Sequence, residues 1–155
     1  MNTKSIITVV LLIFVAVSLT VVVMRSTSTP AVKNQPDSSL ASSGDRVIAY
    51  YFHRTQRCPT CLRIEELTHE IVHAQFGAET SSGKLELRIV NIEDAGNEHF
   101  ETDFNLVSQS IVLVSMKDGR PMKWENLDKI WELIGTEPDF NTYVAAASRG
   151  ALDRS

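Results

Sequence analysis

Two cysteines, three positions apart, constrain this chain more than any other feature. Cys58 and Cys61 are the only cysteines among its 155 residues. They stand between a continuous apolar run, Val47 to Phe52, and a segment of helical apolar spacing that begins at Leu62. A strand that leads into the first turn of a helix places the first sulfur near backbone N–H groups without helical partners, where negative charge is favoured. The pattern therefore predicts a cysteine that ionises easily.

The composition indicates one compact domain with appendages. The formal net charge is −4, 22% of the residues are charged, and no internal repeat is present. Nothing in this composition indicates nucleic acid, so we expect no nucleic-acid partner.

The N-terminal segment carries a long apolar run. Ile6 to Met24 contains no charge, and Arg25 closes it; such a run is long enough to span a bilayer. A cleaved signal peptide is the alternative, but its apolar core is usually about 7–15 residues long and ends at a small-x-small site, which is missing here. We predict an uncleaved membrane anchor over residues 1–25. Lys4 on one side is balanced by Arg25 and Lys33 on the other, so the positive-inside rule barely decides the orientation.

Residues 26–45 are rich in Ser, Thr, Pro, Asn and Asp and contain too few large apolar side chains to form a core. We predict a flexible linker, and a coil of about 20 residues has a root-mean-square reach of roughly 25 Å. Anchor and linker together indicate a partner in or near the membrane.

Apolar spacing predicts the order of elements in the remaining domain, residues 46–155. A strand buried on both faces covers Val47–Phe52, and a helix runs from Pro59 to about Phe76, with Gly77 as a stop. Asp118-Gly119 predicts a tight hairpin turn. The other predicted elements are a strand, a short acidic helix, a buried strand, an edge strand and a closing helix with a break near Gly135–Pro138: Leu85–Ile92, Ala95–Phe104, Ser110–Val114, Met122–Trp124 and Leu127 to about Ala147.

This order, with Cys-x-x-Cys after the first strand, resembles the thioredoxin fold. The expected fold class is α/β: a three-layer thioredoxin-like domain around a mixed four-stranded sheet, preceded by one transmembrane helix. More narrowly, three stretches are similar to the ArsF-type family, named as a nitrophenyl compound nitroreductase subunit, whose members are small, anchored thioredoxin-like proteins: Tyr50-Tyr51-Phe52-His53, Arg57-Cys58-Pro59-Thr60-Cys61 and Leu106-Val107-Ser108-Gln109-Ser110.

The spacing of the cysteines predicts their chemistry. On a first helical turn they lie close enough to form a readily exchanged disulfide. Cys58, nearer the helix N-terminus, is the expected attacking thiolate and Cys61 the resolving thiol. Pro59 suits the first helical position because its missing N–H would lack a partner there, and Thr60 leaves the motif without an internal cation. The helix end and nearby cations are expected to lower the pKa of Cys58; these cations are Arg57, His53, Arg54 and Arg63.

The chain departs from the thioredoxin pattern in two places. That fold carries a cis proline just before the third strand, where Ser110 stands here; the backbone of Gln109 and Ser110 remains available to pair with a substrate strand. Thioredoxin also places a buried acid in the first strand, where this chain has Tyr51 and Phe52. His53 is the candidate proton-transfer group, with a solvated histidine at the strand end as the alternative reading.

A structural disulfide and a metal site are the alternatives for the cysteines. A bridge that closes so small a loop stabilises little. A structural zinc site needs four ligands, and the chain offers two cysteines and scattered histidines. His69-Glu70-Ile71-Val72-His73 also fits the zinc peptidase signature H-E-x-x-H. The apolar stripe of that helix places both of its histidines away from the core, and no third ligand follows on a second helix. We therefore expect no metal and no cofactor.

We expect a membrane-anchored thiol–disulfide oxidoreductase with a disulfide-bearing protein partner. The resemblance implies a single-pass protein of a bacterial inner membrane with its domain outside the cytoplasm. It also implies a DsbD- or CcdA-like membrane electron donor and a role in processing aromatic arsenicals or nitro compounds. The alternative is a binding module on the same fold, either an assembly subunit or a Cu(I) metallochaperone. Trp124 and Trp131 are expected to be packing residues.

Overall fold

A computed structural model describes residues 44–155 of the chain. The anchor predicted over residues 1–25 and nearly all of the linker predicted over residues 26–45 lie outside the described residues. None of the helices within residues 44–155 is long and apolar enough to cross a membrane.

Four strands form one mixed sheet in the order β2-β1-β3-β4. β1 (Arg46–His53) runs parallel to β2 (Leu85–Asn91) and antiparallel to β3 (Ser110–Lys117), and β4 (Arg120–Asn126) pairs antiparallel with β3. Residues 47–52 are all buried, because β1 is a central strand with a core on each face of the sheet. The strand that leads to the cysteines is thus the most enclosed part of the domain.

Five helices accompany the sheet, and two of them are long. They are α1 (Pro59–Gln75), α2 (Gly77–Ser81), α3 (His99–Asp103), α4 (Ile130–Leu133) and α5 (Glu137–Leu152). α1 and α5 pack against each other and against β1. Three residues of the predicted apolar stripe of α1, Ile64, Leu67 and Ile71, are buried in this core, whereas the fourth, Ala74, is exposed. The core on this side of the sheet therefore holds the helix that begins at the cysteines.

An aromatic cluster covers the opposite face of the sheet. The ring centroids of Tyr50 and Phe52 from β1 lie 5.0 Å apart, and the Phe100 ring from α3 lies 5.0 Å from that of Phe52. Phe104, just after α3, packs at 5.6 Å from Phe52. Because α3 has only five residues, aromatic rings make many of the contacts with this face of the sheet that a longer helix would make.

The hairpin turn and the break in the last helix agree with the predictions from the sequence. Asp118 and Gly119 have φ angles of +49° and +76°, as a two-residue hairpin that follows the sheet twist requires. The chain between Leu133 and Glu137 separates α4 from α5, as Gly135 and Pro138 predicted. These positions are fixed by local backbone preferences.

Other predicted boundaries were wrong. The helix predicted over Ala95–Phe104 is only His99–Asp103, because Gly96 adopts φ +95° and interrupts a helical path. α1 ends at Gln75 with Phe76 as its C-cap, and Gly77 is the first residue of α2, which was not predicted. β4 is longer than Met122–Trp124, and α5 continues past Ala147 to Leu152.

Candidate active site

Cys58 and Cys61 form a disulfide at the N-terminus of α1, with their Cα atoms 5.1 Å apart. Cys58 is the N-cap residue of the helix, and its Sγ accepts a hydrogen bond of 3.1 Å from the backbone N–H of Cys61. Pro59 follows in the first turn, where a missing N–H costs nothing. A thiolate on Cys58 would be stabilised by this same N–H and by the positive end of the helix dipole.

The two sulfurs differ in accessibility. Cys58 and Thr60 are exposed, whereas Cys61 is only 3% exposed. A partner sulfur can therefore reach Cys58, while Cys61 can react only with a sulfur already attached next to it. This asymmetry is what an attacking and a resolving cysteine require.

Tyr51 connects β1 to the disulfide. Its side chain is fully buried, and its hydroxyl donates a 2.7 Å hydrogen bond to the carbonyl of Cys61. Burial raises the pKa of Tyr51 to about 12, opposed by the nearby Arg57 cation and assisted by the Glu65 carboxylate. The sequence identified Tyr51 only as the place of a missing acid. Side chains alternate along a strand, so Tyr51 points to the same face of the sheet as Val47 and Ala49. This alternation could have predicted that its side chain lies on the α1 side.

The three arginines near Cys58 are already paired with carboxylates. Arg57 binds Glu65, and their side chains are 23% and 28% exposed. The remaining pairs join two further arginines to four acidic residues: Arg54 to Glu101 at 2.5 Å and Glu93 at 3.5 Å, and Arg63 to Glu66 and Glu137 at 2.7 Å each. The positive field around the disulfide is thus weaker than the sequence alone indicates. Glu65 belongs to the site and was missed, although it follows Cys61 by one helical turn.

His53 lies at the end of β1 on the same side as Tyr51. The two ring centroids are 6.2 Å apart, and His53 is half-buried. His53 Nδ1 lies 3.0 Å from the carbonyl of Arg54; a carbonyl only accepts, so Nδ1 is the donor in this contact. A proton-transfer role for His53 stays a prediction.

The segment before β3 lies at the same end of the sheet as the disulfide. Ser110 pairs with Phe52 in β1 and is buried, and its Oγ donates to the carbonyl of Ser108 at 3.0 Å. The carbonyl of Gln109 accepts a 2.9 Å hydrogen bond from the indole N–H of Trp131. The carbonyl of Gln109, one of its two backbone groups predicted to pair with a substrate strand, is therefore already hydrogen-bonded.

The histidines of the H-E-x-x-H sequence do not form a metal site with other side chains of the described chain. His69 and His73 are exposed on α1, as the helix phase predicted. Within residues 44–155, no group of three or more His, Cys, Asp or Glu residues is arranged to hold a metal ion.

The strand order, the mixed pairing and a disulfide in the first turn of the helix after the central strand define a thioredoxin-like fold. Solved structures similar to the chain include thioredoxin O2 from Arabidopsis thaliana in the oxidized state, with 17% identity, a TM-score of 0.37 and coverage of 62% of this chain and 76% of that one. Thioredoxin f2 of Chlamydomonas reinhardtii has 12% identity and a TM-score of 0.39, with 61% and 81% covered. Fasciola hepatica thioredoxin has 19% identity and a TM-score of 0.33, with 61% and 84% covered. The fold follows from the strand order and pairing alone. No protein-family model and no curated protein sequence matches the chain.

Proposed function

We propose that this protein is a thiol–disulfide oxidoreductase that exchanges disulfides with a protein partner through Cys58 and Cys61. The observation that carries the proposal is the unequal exposure of the two sulfurs in one helical turn: Cys58 is exposed and caps the helix, and Cys61 is buried behind it. A structural disulfide that closes so short a loop would add little stability.

In the reducing direction, the Cys58 thiolate attacks one sulfur of the partner disulfide. A Cys58–partner bond forms, the partner S–S bond breaks, and the first partner thiolate leaves and takes a proton from water. Cys61 then loses its proton and attacks the Cys58 sulfur, so the mixed disulfide breaks and the second partner thiolate leaves. The partner gains two electrons, and the Cys58–Cys61 pair loses two. The opposite direction passes through the same mixed disulfide.

We place this chemistry at a bacterial inner membrane, with the domain outside the cytoplasm. The uncharged run Ile6–Met24 supports an anchor, and the similarity of Arg57–Cys61 and its flanks to the ArsF-type family supports an electron-transfer role in arsenical or nitro-compound processing. An oxidoreductase in that position needs a dithiol donor, for which a DsbD- or CcdA-like membrane protein is the proposed class. Recovery of the full chain in the soluble fraction after cell lysis would contradict the anchor.

Trapping the mixed disulfide tests the exchange directly. In the full chain, Cys61→Ser removes the resolving thiol, so a partner attacked by Cys58 stays attached and can be identified by mass spectrometry after non-reducing separation. Cys58→Ser is the matched control, because it leaves only the buried Cys61 and should capture far less. We expect a dithiothreitol-sensitive adduct in the first variant only.

The opposite result would favour the binding-module alternative. No adduct with Cys61→Ser, together with tight Cu(I) binding by the wild type and no redox couple between about −120 and −270 mV, the range of known thioredoxin-fold proteins, would contradict an oxidoreductase. Adducts of equal yield in both variants would contradict the assigned roles of the two cysteines.

A further inference from the structure

The Arg57–Glu65 ion pair is partly buried, and its two residues flank Cys58 and Cys61 in the chain. Its partners are 23% and 28% exposed, whereas the side chains that pair with Arg54 and Arg63 are 43% to 59% exposed. Arg57 precedes Cys58 in the chain, and Glu65 follows Cys61 by four residues, on the same face of α1. The pair thus connects the two ends of the reactive turn.

One donor of this pair has no acceptor. Arg57 Nε is buried and makes no hydrogen bond within residues 44–155, although buried N–H groups are nearly always paired. Sulfur in a disulfide is a weak acceptor, but a thiolate carries a full negative charge and accepts strongly. Because Arg57 directly precedes Cys58 in the chain, this unpaired guanidinium N–H points to the Cys58 thiolate, an acceptor that exists only after reduction.

Both charges of the pair also act on the residue that holds Cys61. The Tyr51 hydroxyl donates to the carbonyl of Cys61, and its pKa is lowered by Arg57 and raised by Glu65. Each charged group is therefore close enough to influence the disulfide turn, and with opposite sign.

We propose that Glu65 is a positioning residue of the thiol site, which holds the Arg57 guanidinium beside Cys58 and offsets part of its charge. The inference rests on the proposed exchange function and adds that the Arg57–Glu65 pair sets the reactivity of Cys58. With Glu65 in place, the Cys58 thiolate meets one N–H of an almost neutral ion pair. Without it, the thiolate meets an uncompensated cation and forms at lower pH.

The other charged groups around the turn do not substitute for this pair. Each arginine among them is bound to at least one carboxylate, and His53 has its Nδ1 on a carbonyl. They come from the end of β1 and the loop after it, from α1, from the loop after β2, from α3 and from α5: His53, Arg54, Arg63, Glu66, Glu93, Glu101 and Glu137.

The test measures Cys58 alone, in full chains that carry Cys61→Ser. The rate of alkylation by iodoacetamide is followed from pH 4 to 10, on the background chain and on chains that add Glu65→Gln, Arg57→Gln or Arg57→Lys. Glu65→Gln should lower the midpoint of the profile by about 0.5–1 pH unit, and Arg57→Gln should raise it by a similar amount; this is less than a fully buried charge causes, because the pair is partly exposed. Arg57→Lys retains the charge and should restore most of the wild-type profile.

Glu66→Gln is the matched control. Glu66 is the next residue of α1 and also binds an arginine, but its side chain is 59% exposed and its partner is Arg63. The midpoint of the alkylation profile of Glu66→Gln should match that of the background chain. The double variant Arg57→Gln/Glu65→Gln should return the midpoint close to that of the background chain, because both charges are removed, and it covers the case in which one single variant does not fold.

The outcomes separate this inference from the proposed function. If the wild-type pair exchanges with oxidised glutathione while Glu65→Gln and Glu66→Gln titrate alike, the role of Glu65 is overturned and the oxidoreductase stands. If Cys61→Ser captures no protein partner and the wild type does not exchange with oxidised glutathione either, the proposed function itself fails. A lower midpoint for Glu65→Gln, reversed in the double variant, supports the inference.

Discussion

The hydroxyl of Tyr51 donates a 2.7 Å hydrogen bond to the carbonyl of Cys61 and so fastens the central strand to the turn that holds the disulfide. Both groups are buried, which makes the bond stronger than one exposed to water. Because the pKa of Tyr51 is raised to about 12, the phenol stays protonated near neutral pH. Tyr51 therefore holds the turn but does not exchange protons with the resolving thiol there.

Replacing Tyr51 with Phe should destabilise the oxidised domain by about 1 kcal/mol, the typical net value of one buried hydrogen bond. The ring is kept, so the packing against Ile64 and Ile111 in the core should change little. Urea denaturation of the oxidised protein measures the difference. Tyr50→Phe serves as a comparison, because that ring lies on the opposite face of the sheet. A Tyr51→Phe protein as stable as the wild type would show that the bond does not anchor the turn.

The raised pKa of Tyr51 also predicts a loss of stability in alkaline solution. An unfolded tyrosine ionises near pH 10 and the folded one near pH 12, so the unfolded chain releases this proton first as pH rises. The contribution is complete below about pH 10 and is lost progressively between about pH 10 and 12, up to roughly 2–3 kcal/mol.

Denaturation curves at pH 8, 10 and 11 check the slope. The wild type should lose more free energy of unfolding than Tyr51→Phe over this interval, since the variant has no proton to lose at that position. Tyr143, whose pKa is also raised by partial burial, contributes equally to both proteins and cancels in the comparison. Parallel curves for the two proteins would contradict the assignment.

The features predicted correctly from the sequence are those that neighbouring residues determine. The apolar run Val47–Phe52 gave a central strand, Asp118-Gly119 a hairpin turn, and Pro59 after Cys58 a helix start. Each depends on side-chain or backbone preferences within a few residues. The helix predicted from Ala95 was wrong for an equally local reason, because Gly96 adopts φ +95° and interrupts the helical path.

The contacts that define the site could not be predicted in this way. Tyr51 reaches Cys61 across 10 positions and Trp131 reaches Gln109 across 22, and both contacts depend on how α1 and α4 pack on the sheet. Arg57 and Glu65 are 8 positions apart, and the chain changes from loop to helix between them. The sequence could identify Arg57 as a cation near Cys58, but its partner follows only from the direction of α1.

Removing the histidines of the H-E-x-x-H sequence should leave the protein intact. His69 and His73 are exposed on α1, so the double change to Ala should alter the free energy of unfolding by no more than about 0.5 kcal/mol per site, as is usual for surface positions. The exchange rate of Cys58 should also stay the same. Metal analysis of the purified full chain completes the test: one equivalent of zinc that disappears with His69→Ala would establish a metal site and contradict this prediction.

The indole of Trp131 should control access of extended peptides to the site. Its N–H donates to the carbonyl of Gln109, which is one of the two backbone hydrogen-bonding groups, N–H and carbonyl, of that residue. A peptide that pairs as an added strand needs both groups. Trp131→Phe keeps an aromatic ring and frees the carbonyl of Gln109. Disulfides within extended peptides should then react several-fold faster, because the peptide gains about one backbone hydrogen bond to the protein.

Oxidised glutathione and a second tryptophan provide the controls for Trp131→Phe. Glutathione is too short to form a strand pair, so its rate should not change. Trp124 is 39% exposed, close to the 37% of Trp131, but it lies on β4 and packs its ring against Phe104. Trp124→Phe should therefore leave both rates unchanged. Equal acceleration of glutathione and peptide by Trp131→Phe would mean that the indole affects the reactivity of Cys58 and does not select partners through the Gln109 backbone.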